Sequence, residues 1–425
     1  ETFLLRGELN LSIADGFVLA SGQFDINIRN QQTEGEVFSV TDGAVTINDA
    51  NVMSINLTNV YLFVGVNGEF VKDENGSVTG LQTEEAIGFS VENASLSLAI
   101  ISETADPLNL ATPVEKYTGI RAEIESMGVH GLPETFEFSV RDLVLLKNTP
   151  YIDSAENLTY LNWMNLTSPD NTDVNTIVGV GLQTRLAGLT NSVELSVAGY
   201  LEINIDGFVL AAGKFSIGQS IVESFHDGNT PGETFKASIL LIELSDLYVF
   251  AGVNGTYERD VDGYANGFVE SDDTVGISFS GGNLTLAMVG EVIDKTILAN
   301  ANVQARSWMG IAASLEGLDV VGLPDNFSIT GKDFSFLYNQ GSKVTLTNPA
   351  TSKLDWQNID HFNGTSLDNL SGNTELFVAG YLSITIDEFV HIGGAVTLEK
   401  RELDVKTTDT TVTGTQKVSA LIIGA

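Results

Sequence analysis

The sequence predicts an all-β protein of tandem antiparallel β-sandwich-like units, alternatively solenoid-like ones, each about 185 residues long and joined into an elongated rod. Three observations carry this. Apolar residues alternate at period two over long stretches, helical periodicity is nearly missing, and one block pattern returns three times along the chain.

The repeat sets the element order. GELNLSIADGFVLASGQF from Gly7, GYLEINIDGFVLAAGKF from Gly199 and GYLSITIDEFVHIGGAV from Gly380 share one pattern, in which Asp15, Asp206 and Asp387 correspond at spacings of 191 and 181 residues. Further blocks follow in the same order. YLFVGVNGEF from Tyr61 matches YVFAGVNGTY from Tyr248, and IGFSVENASLSLAI around Gly88 matches VGISFSGGNLTLAM around Gly276. The stretch from Tyr117 to GLPETF matches that from Trp308 to GLPDNF, and Trp163 matches Trp356. The period divides the chain into unit 1 (1–192), unit 2 (193–373) and the opening of unit 3 (374–425). KVSALIIGA from Lys417 aligns with KASILLIEL from Lys236. The sequence therefore reads as a window on a longer array, or as a subunit completed by a neighbour's strand.

Each element has a local reason. In VELSVAGYLEINI the apolar residues Val193, Leu195, Val197, Leu201, Ile203 and Ile205 share one face, and alternation restarts after Asp206-Gly207, a turn signal. Many such passes exceed the usual strand of about 5–6 residues, so each is expected to bend or break at an internal Gly, Asp or Asn. Only 154–164 and 355–362, beside the tryptophans, have any helical character. One tryptophan per unit is expected as a core plug.

Composition narrows function. The 56 acidic residues against 20 Lys and Arg give a formal charge of −36, which repels nucleic acid and anionic membranes and attracts divalent cations. Cysteine is absent, so disulfides, thiolate metal sites and cysteine nucleophiles are excluded. No apolar run approaches the ~18 residues that span a bilayer, so no direct membrane insertion is expected in this segment.

One element has metal-ligand chemistry. Asp73-Glu74-Asn75-Gly76 is followed by Glu84 and Glu85, and Asp260-Val261-Asp262-Gly263 is followed by Asp272 and Asp273. Carboxylate and amide oxygens beside a turn glycine suit calcium, which takes 6–8 oxygen ligands. The metal candidates are therefore Asp73, Asn75, Glu84, Glu85, Asp260, Asp262, Asp272 and Asp273. The competing reading is a plain hairpin turn, for which Asn-Gly and Asp-Gly are favoured without any metal. The four histidines, His130, His226, His361 and His391, do not recur in corresponding positions. No nucleophile elbow, P-loop or dinucleotide fingerprint occurs, so the chain is not expected to be an enzyme.

The series from G-x-L-x-[LI]-x-I-D-x-F-V through LYVFAGVNG, VGISFSGGNLTLAM and SWMGIAASLEGLDVVGLPDNFSI resembles tandem repeats of giant secreted bacterial surface proteins. These are encoded in aquatic bacteria by very long repeat-array reading frames. The resemblance spans essentially the whole chain and implies an extracellular, cell-surface location. It also implies a structural role as stalk, sheath or filament, with neighbouring copies or repeats as partners. An adhesin whose repeats bind glycans or neighbouring cells is the alternative. Exposure of the aromatic pairs Tyr61/Tyr248 and Tyr117/Trp308 would favour binding, and their burial a spacer.

Overall fold

The computed structural model describes residues 2–13, 16–29, 38–104, 114–131, 136–152, 158–168, 181–228, 234–269, 271, 273–293, 305–343, 351–387, 389–406 and 415–425. Asp15, Asp272 and the Leu132-Pro133 turn lie outside them. Two compact units emerge: Glu1–Tyr200 with Gly218–Ser220, and Leu201–Ile217 with Ile221–Ala425.

In the first unit the ladder strands are β1 (Thr2–Ile13), β2 (Val18–Arg29), β5 (Ala50–Val66), β8 (Ile87–Glu103), β9 (Lys116–His130) and β10 (Phe136–Thr149). They pair antiparallel in strict sequence order, an open meander. Short hairpins branch from it: β3 (Val40–Thr41) with β4 (Thr46–Ile47), β6 (Glu69–Lys72) with β7 (Val78–Gln82), and β11 (Tyr151–Ile152) with β12 (Leu158–Thr159). Strand β13 (Val193–Ile205) spans the boundary between the units, and β14 (Val209–Phe225) lies mostly in the second.

The second unit repeats the plan. Its ladder runs β15 (Phe235–Val253), β18 (Val275–Glu291), β19 (Ser307–Val321), β20 (Phe327–Gln340), β23 (Thr374–Ile386), β24 (Val390–Lys406) and β25 (Thr415–Gly424). Hairpins β16 (Thr256–Arg259) with β17 (Ala265–Val269) and β21 (Ser342–Lys343) with β22 (Thr351–Ser352) branch from it. The all-β, antiparallel class is thus as the sequence indicates. The layering differs from a sandwich: among the described residues, short hairpins and 3₁₀ turns, in place of a second large sheet, close over the apolar face of each meander. The compact-unit boundary falls inside β13, and β23–β25 of the third repeat belong with the second repeat. Sequence period and packing boundary differ because strand pairing runs straight through the repeat junction from β20 to β23.

A large covered patch forms in each unit, and a smaller one in the first. The larger is built round Trp163 in the first unit and Trp356 in the second, both with no exposed surface. The segments expected to have helical character supply these lids as 3₁₀ turns, Trp163–Asn165, Trp356–Asn358 and Asp360–Phe362. A short helix, Leu182–Arg185, adds Leu182 to the first lid. Each indole lies on a cross-strand glycine: a Cβ on Gly119 would stand 2.7 Å from Trp163 Cε2, and one on Gly310 2.7 Å from Trp356 Cε2. The smaller patch holds Leu19, Phe63 and Ala86 under the β6–β7 hairpin. Beside it Gly65 faces Gly88 across the ladder, as Gly252 faces Gly276; a side chain at either Gly65 or Gly252 would meet the partner Cα at 2.6 Å.

Long strands bend where an internal residue takes positive φ. Asn59 (φ 50°) and Asp246 (φ 52°) sit at matching points of β5 and β15, where the register shifts. Asn93 matches Gly281, and Asp142 matches Asp333, all with positive φ. Asp206 and Asp387 carry φ of 54° and 48° at their hairpin turns, as their turn reading requires.

Candidate functional site

The acidic loops resolve into two separate pieces. At the tip of the β6–β7 hairpin, Asp73 Oδ1 accepts the backbone N–H of Asn75 and of Ser77, each at 2.9 Å, and Gly76 takes φ 87°. At the tip of β16–β17, Asp260 Oδ1 accepts the N–H of Asp262 and of Tyr264, again at 2.9 Å, and Gly263 takes φ 82°. This is a side chain closing a turn on its own backbone, with a glycine where the chain needs positive φ. Asn75 and Asp262 are exposed turn residues between these anchors.

Glu84, Glu85 and Asp273 stand at the other end of the hairpins. Glu84 and Glu85 follow β7, whose five residues put roughly 16 Å of strand between them and the Asp73 tip. Their recurrent feature is a backbone carbonyl: Asn67 Nδ2 donates to Glu85 O at 3.3 Å, and Asn254 Nδ2 donates to Asp273 O at 3.0 Å. Those asparagines, in positive φ, latch the loop to the strand end. The structure thus places Glu84, Glu85 and Asp273 away from the turns. Among the described residues, no three His, Cys, Asp or Glu side chains are grouped to hold a metal ion. Arg259 forms a two-pronged pair with Glu202, at 2.9 and 3.0 Å, and donates to Gly263 O at 2.7 Å, which braces the β16–β17 tip.

The best-repeated polar constellation lies under the tryptophans. Trp163 Nε1 donates to Asn148 Oδ1 at 3.0 Å, and Asn148 Nδ2 donates to Leu161 O and Thr190 O, both at 3.0 Å. In the second unit Trp356 Nε1 donates to Asn339 Oδ1 at 3.0 Å, and Asn339 Nδ2 donates to Leu354 O at 2.9 Å and Ser371 O at 3.1 Å. Each asparagine is buried on the last ladder strand of its repeat and ties both ends of the lid to it. This arrangement builds structure and presents no reacting atom to solvent.

Aromatic exposure follows the same pattern. Tyr117 and Trp308 are buried, and Tyr61 and Tyr248 are half-buried. Burial beside Glu115 and Asp42 pushes the Tyr117 hydroxyl pKa well up, so it stays protonated. Burial lowers the pKa of His130, whose Nε2 lies 2.7 Å from Ser90 Oγ, and of His361. A shallow cleft of about 640 Å³ over β1, β2, β5 and β9 contains Arg6, Arg121 and Arg185. Asp25 pairs with Arg6 and Arg185, and Glu123 with Arg121, so acids of the same cleft offset its cations.

Contacts at repeat junctions also recur. The guanidinium of Arg141 on β10 lies over the Tyr200 ring at 5.5 Å, and Lys332 Nζ on β20 lies over the Tyr381 ring at 5.5 Å. Both join the last strand of one repeat to the first strand of the next. No protein-family model, curated protein or solved structure matches this chain.

Proposed function

We propose that this chain is a structural segment of an extracellular repeat array, a stalk, sheath or filament at the cell surface that grows by extending one sheet from repeat to repeat. The observation that carries the reading is the junction between the second and third repeats. There β20 and β23 are hydrogen-bonded neighbours from Phe327↔Ile386 to Tyr338↔Leu376, with no tether between repeats. Nearest-neighbour pairing of this kind is how repeat arrays gain stiffness and stability. Burial of Tyr117, Trp308 and both lid tryptophans supports a spacer over a glycan-binding platform. The strong negative charge keeps such a segment soluble and unattached to anionic surfaces.

The length increment per repeat tests this. The first repeat contributes six ladder strands, β1, β2, β5, β8, β9 and β10. At about 4.8 Å between strands, each added repeat should lengthen the particle by roughly 29 Å. Small-angle scattering on chains of one, two and three complete repeats should show that constant increment with one rigid cross-section. Increments that vary with a spread of inter-repeat angles would refute an extended sheet.

A further inference from the structure

We propose that the open edge of β1 is a docking edge for one kind of partner, an extended strand of the β10/β20 type from a further copy of the repeat. This rests on the array reading above and deepens it, because it names the strand and its register.

The argument is one of internal equivalence. β1 and β23 are the same strand in the first and third repeats, with Gly7, Leu9 and Ile13 at the places of Gly380, Leu382 and Ile386. Both form the same hairpin with the following strand, Gly7 opposite Phe24 and Gly380 opposite Val396. The other edge of β23 is filled by β20 from Leu376 to Ile386. Among the described residues the other edge of β1 has no strand.

That edge lacks the features by which proteins blunt exposed strands. It is twelve residues long, and Phe3, Leu5, Leu9, Leu11 and Ile13 alternate on one face, between 40% and 59% exposed. Proline, short length or inward-pointing charge usually protects a free edge, and this apolar face offers none of them. In the β20–β23 register, Tyr338, Phe336, Ile329 and Phe327 stand opposite Leu376, Val378, Ile384 and Ile386. Carried to β1, they stand opposite Phe3, Leu5, Leu11 and Ile13.

Charge fixes the same register. Lys332 pairs with Tyr381 across the β20–β23 ladder, and its ammonium lies over that ring. At β1 the Tyr381 position is Glu8, whose carboxylate also accepts from Asn10 Nδ2 at 3.3 Å and Ser77 Oγ at 3.5 Å. A lysine or arginine at the Lys332/Arg141 position of the incoming strand therefore meets a carboxylate instead of an aromatic face. Backbone hydrogen bonds would supply affinity, and this pair the alignment.

The test uses the full 425-residue chain and a labelled synthetic peptide of the β20 sequence FSITGKDFSFLYNQ. Fluorescence anisotropy should show saturable one-to-one binding. N-methylation of one alternate set of peptide amides should weaken binding at least tenfold, while methylation of the other set leaves it unchanged. Glu8→Lys should weaken binding about two- to fivefold, the size of a partly exposed ion pair. A peptide with Lys332→Glu should recover that loss on the variant. The proposal is overturned by no binding to folded chain, equal binding of a scrambled peptide, or equal effects of the two methylation sets. Self-association of the chain through β1 that the β20 peptide cannot compete would assign the edge to a strand of another type and overturn it too. None of these results alters the scattering increment, so the two readings fail separately.

Discussion

Replacing Asn339 with alanine should cost the second unit at least about 3 kcal/mol. The side chain is almost fully buried and satisfies three groups, the indole N–H of Trp356 and the carbonyls of Leu354 and Ser371. A buried polar group left without a partner costs about 1–3 kcal/mol, and alanine orphans all three. That is a large share of the roughly 5–15 kcal/mol that holds a typical domain folded. Trp356→Phe removes only the indole donor and leaves Asn339 Oδ1 unpaired, so its polar cost is about one such group. The double-mutant cycle should therefore show a coupling of about 1–2 kcal/mol between the two residues. Urea unfolding followed by tryptophan fluorescence reads this directly, since Trp163, Trp308 and Trp356 are all buried in the folded chain. Asn148→Ala should have a matching effect in the first unit, because its bonds are the same. A cost below about 1 kcal/mol for Asn339→Ala, or no coupling in the cycle, would refute the clamp.

Four other outcomes follow. Gly310→Ala sets a Cβ 2.7 Å from Trp356 Cε2 and should lower stability by about 1–3 kcal/mol in the same urea assay, as overpacking does. Asp260→Ala removes both turn bonds and should destabilise by about 1–2 kcal/mol, whereas Asp260→Asn, which keeps the accepting oxygen, should be nearly neutral. The turn reading also expects the melting temperature to respond equally to calcium and magnesium at matched ionic strength; a calcium-selective rise lost in Asp260→Asn would establish the metal instead. His130 should titrate below 6.5 by NMR, because burial disfavours its cation. Below pH 6.5 the unfolded chain then takes up a proton that the folded chain does not, so this residue's contribution to stability falls as pH drops from 7 toward 5. His130→Gln should flatten that slope, and an NMR pKa of 6.5 or above would remove its basis.

The class of the fold, the strand-rich blocks and the buried tryptophan plugs were legible because each depends on patterns that act locally. Alternation marks a face, and a lone large aromatic in a polar stretch marks a core. The candidate metal set rests on nearness in sequence, and a hairpin sets residues that are near in sequence apart along its strands. Residues 73 and 84 are eleven positions apart yet sit at opposite ends of β7. The asparagine clamp has no such local mark, because Asn148 and Asn339 are two among many asparagines. Their signal is positional: both are the penultimate residue of the last ladder strand of their repeat, in LLKN and FLYN, 191 residues apart.

Bulges explain why the strands needed the copies to be read correctly. In β5 the buried positions are Ala50, Val52, Ser54 and Asn56, then Phe63 and Gly65, so the alternation changes from even to odd. β15 changes from odd, at Ala237 and Ile239, to even, at Phe250. A one-residue slip reverses every side chain in a regular strand, so uninterrupted period-two reading puts Phe63 and Phe250 on the wrong face. The extra residue at Asn59 and Asp246 restores them, at the cost of positive φ in mid-strand. Only Gly, Asn and Asp adopt that conformation readily. The matched positions are Asn59/Asp246, Asn93/Gly281 and Asp142/Asp333, every one drawn from those three types while the residues around them vary. One copy shows a polar residue inside an apolar strand; two copies show that what is kept is the permission to turn the backbone there.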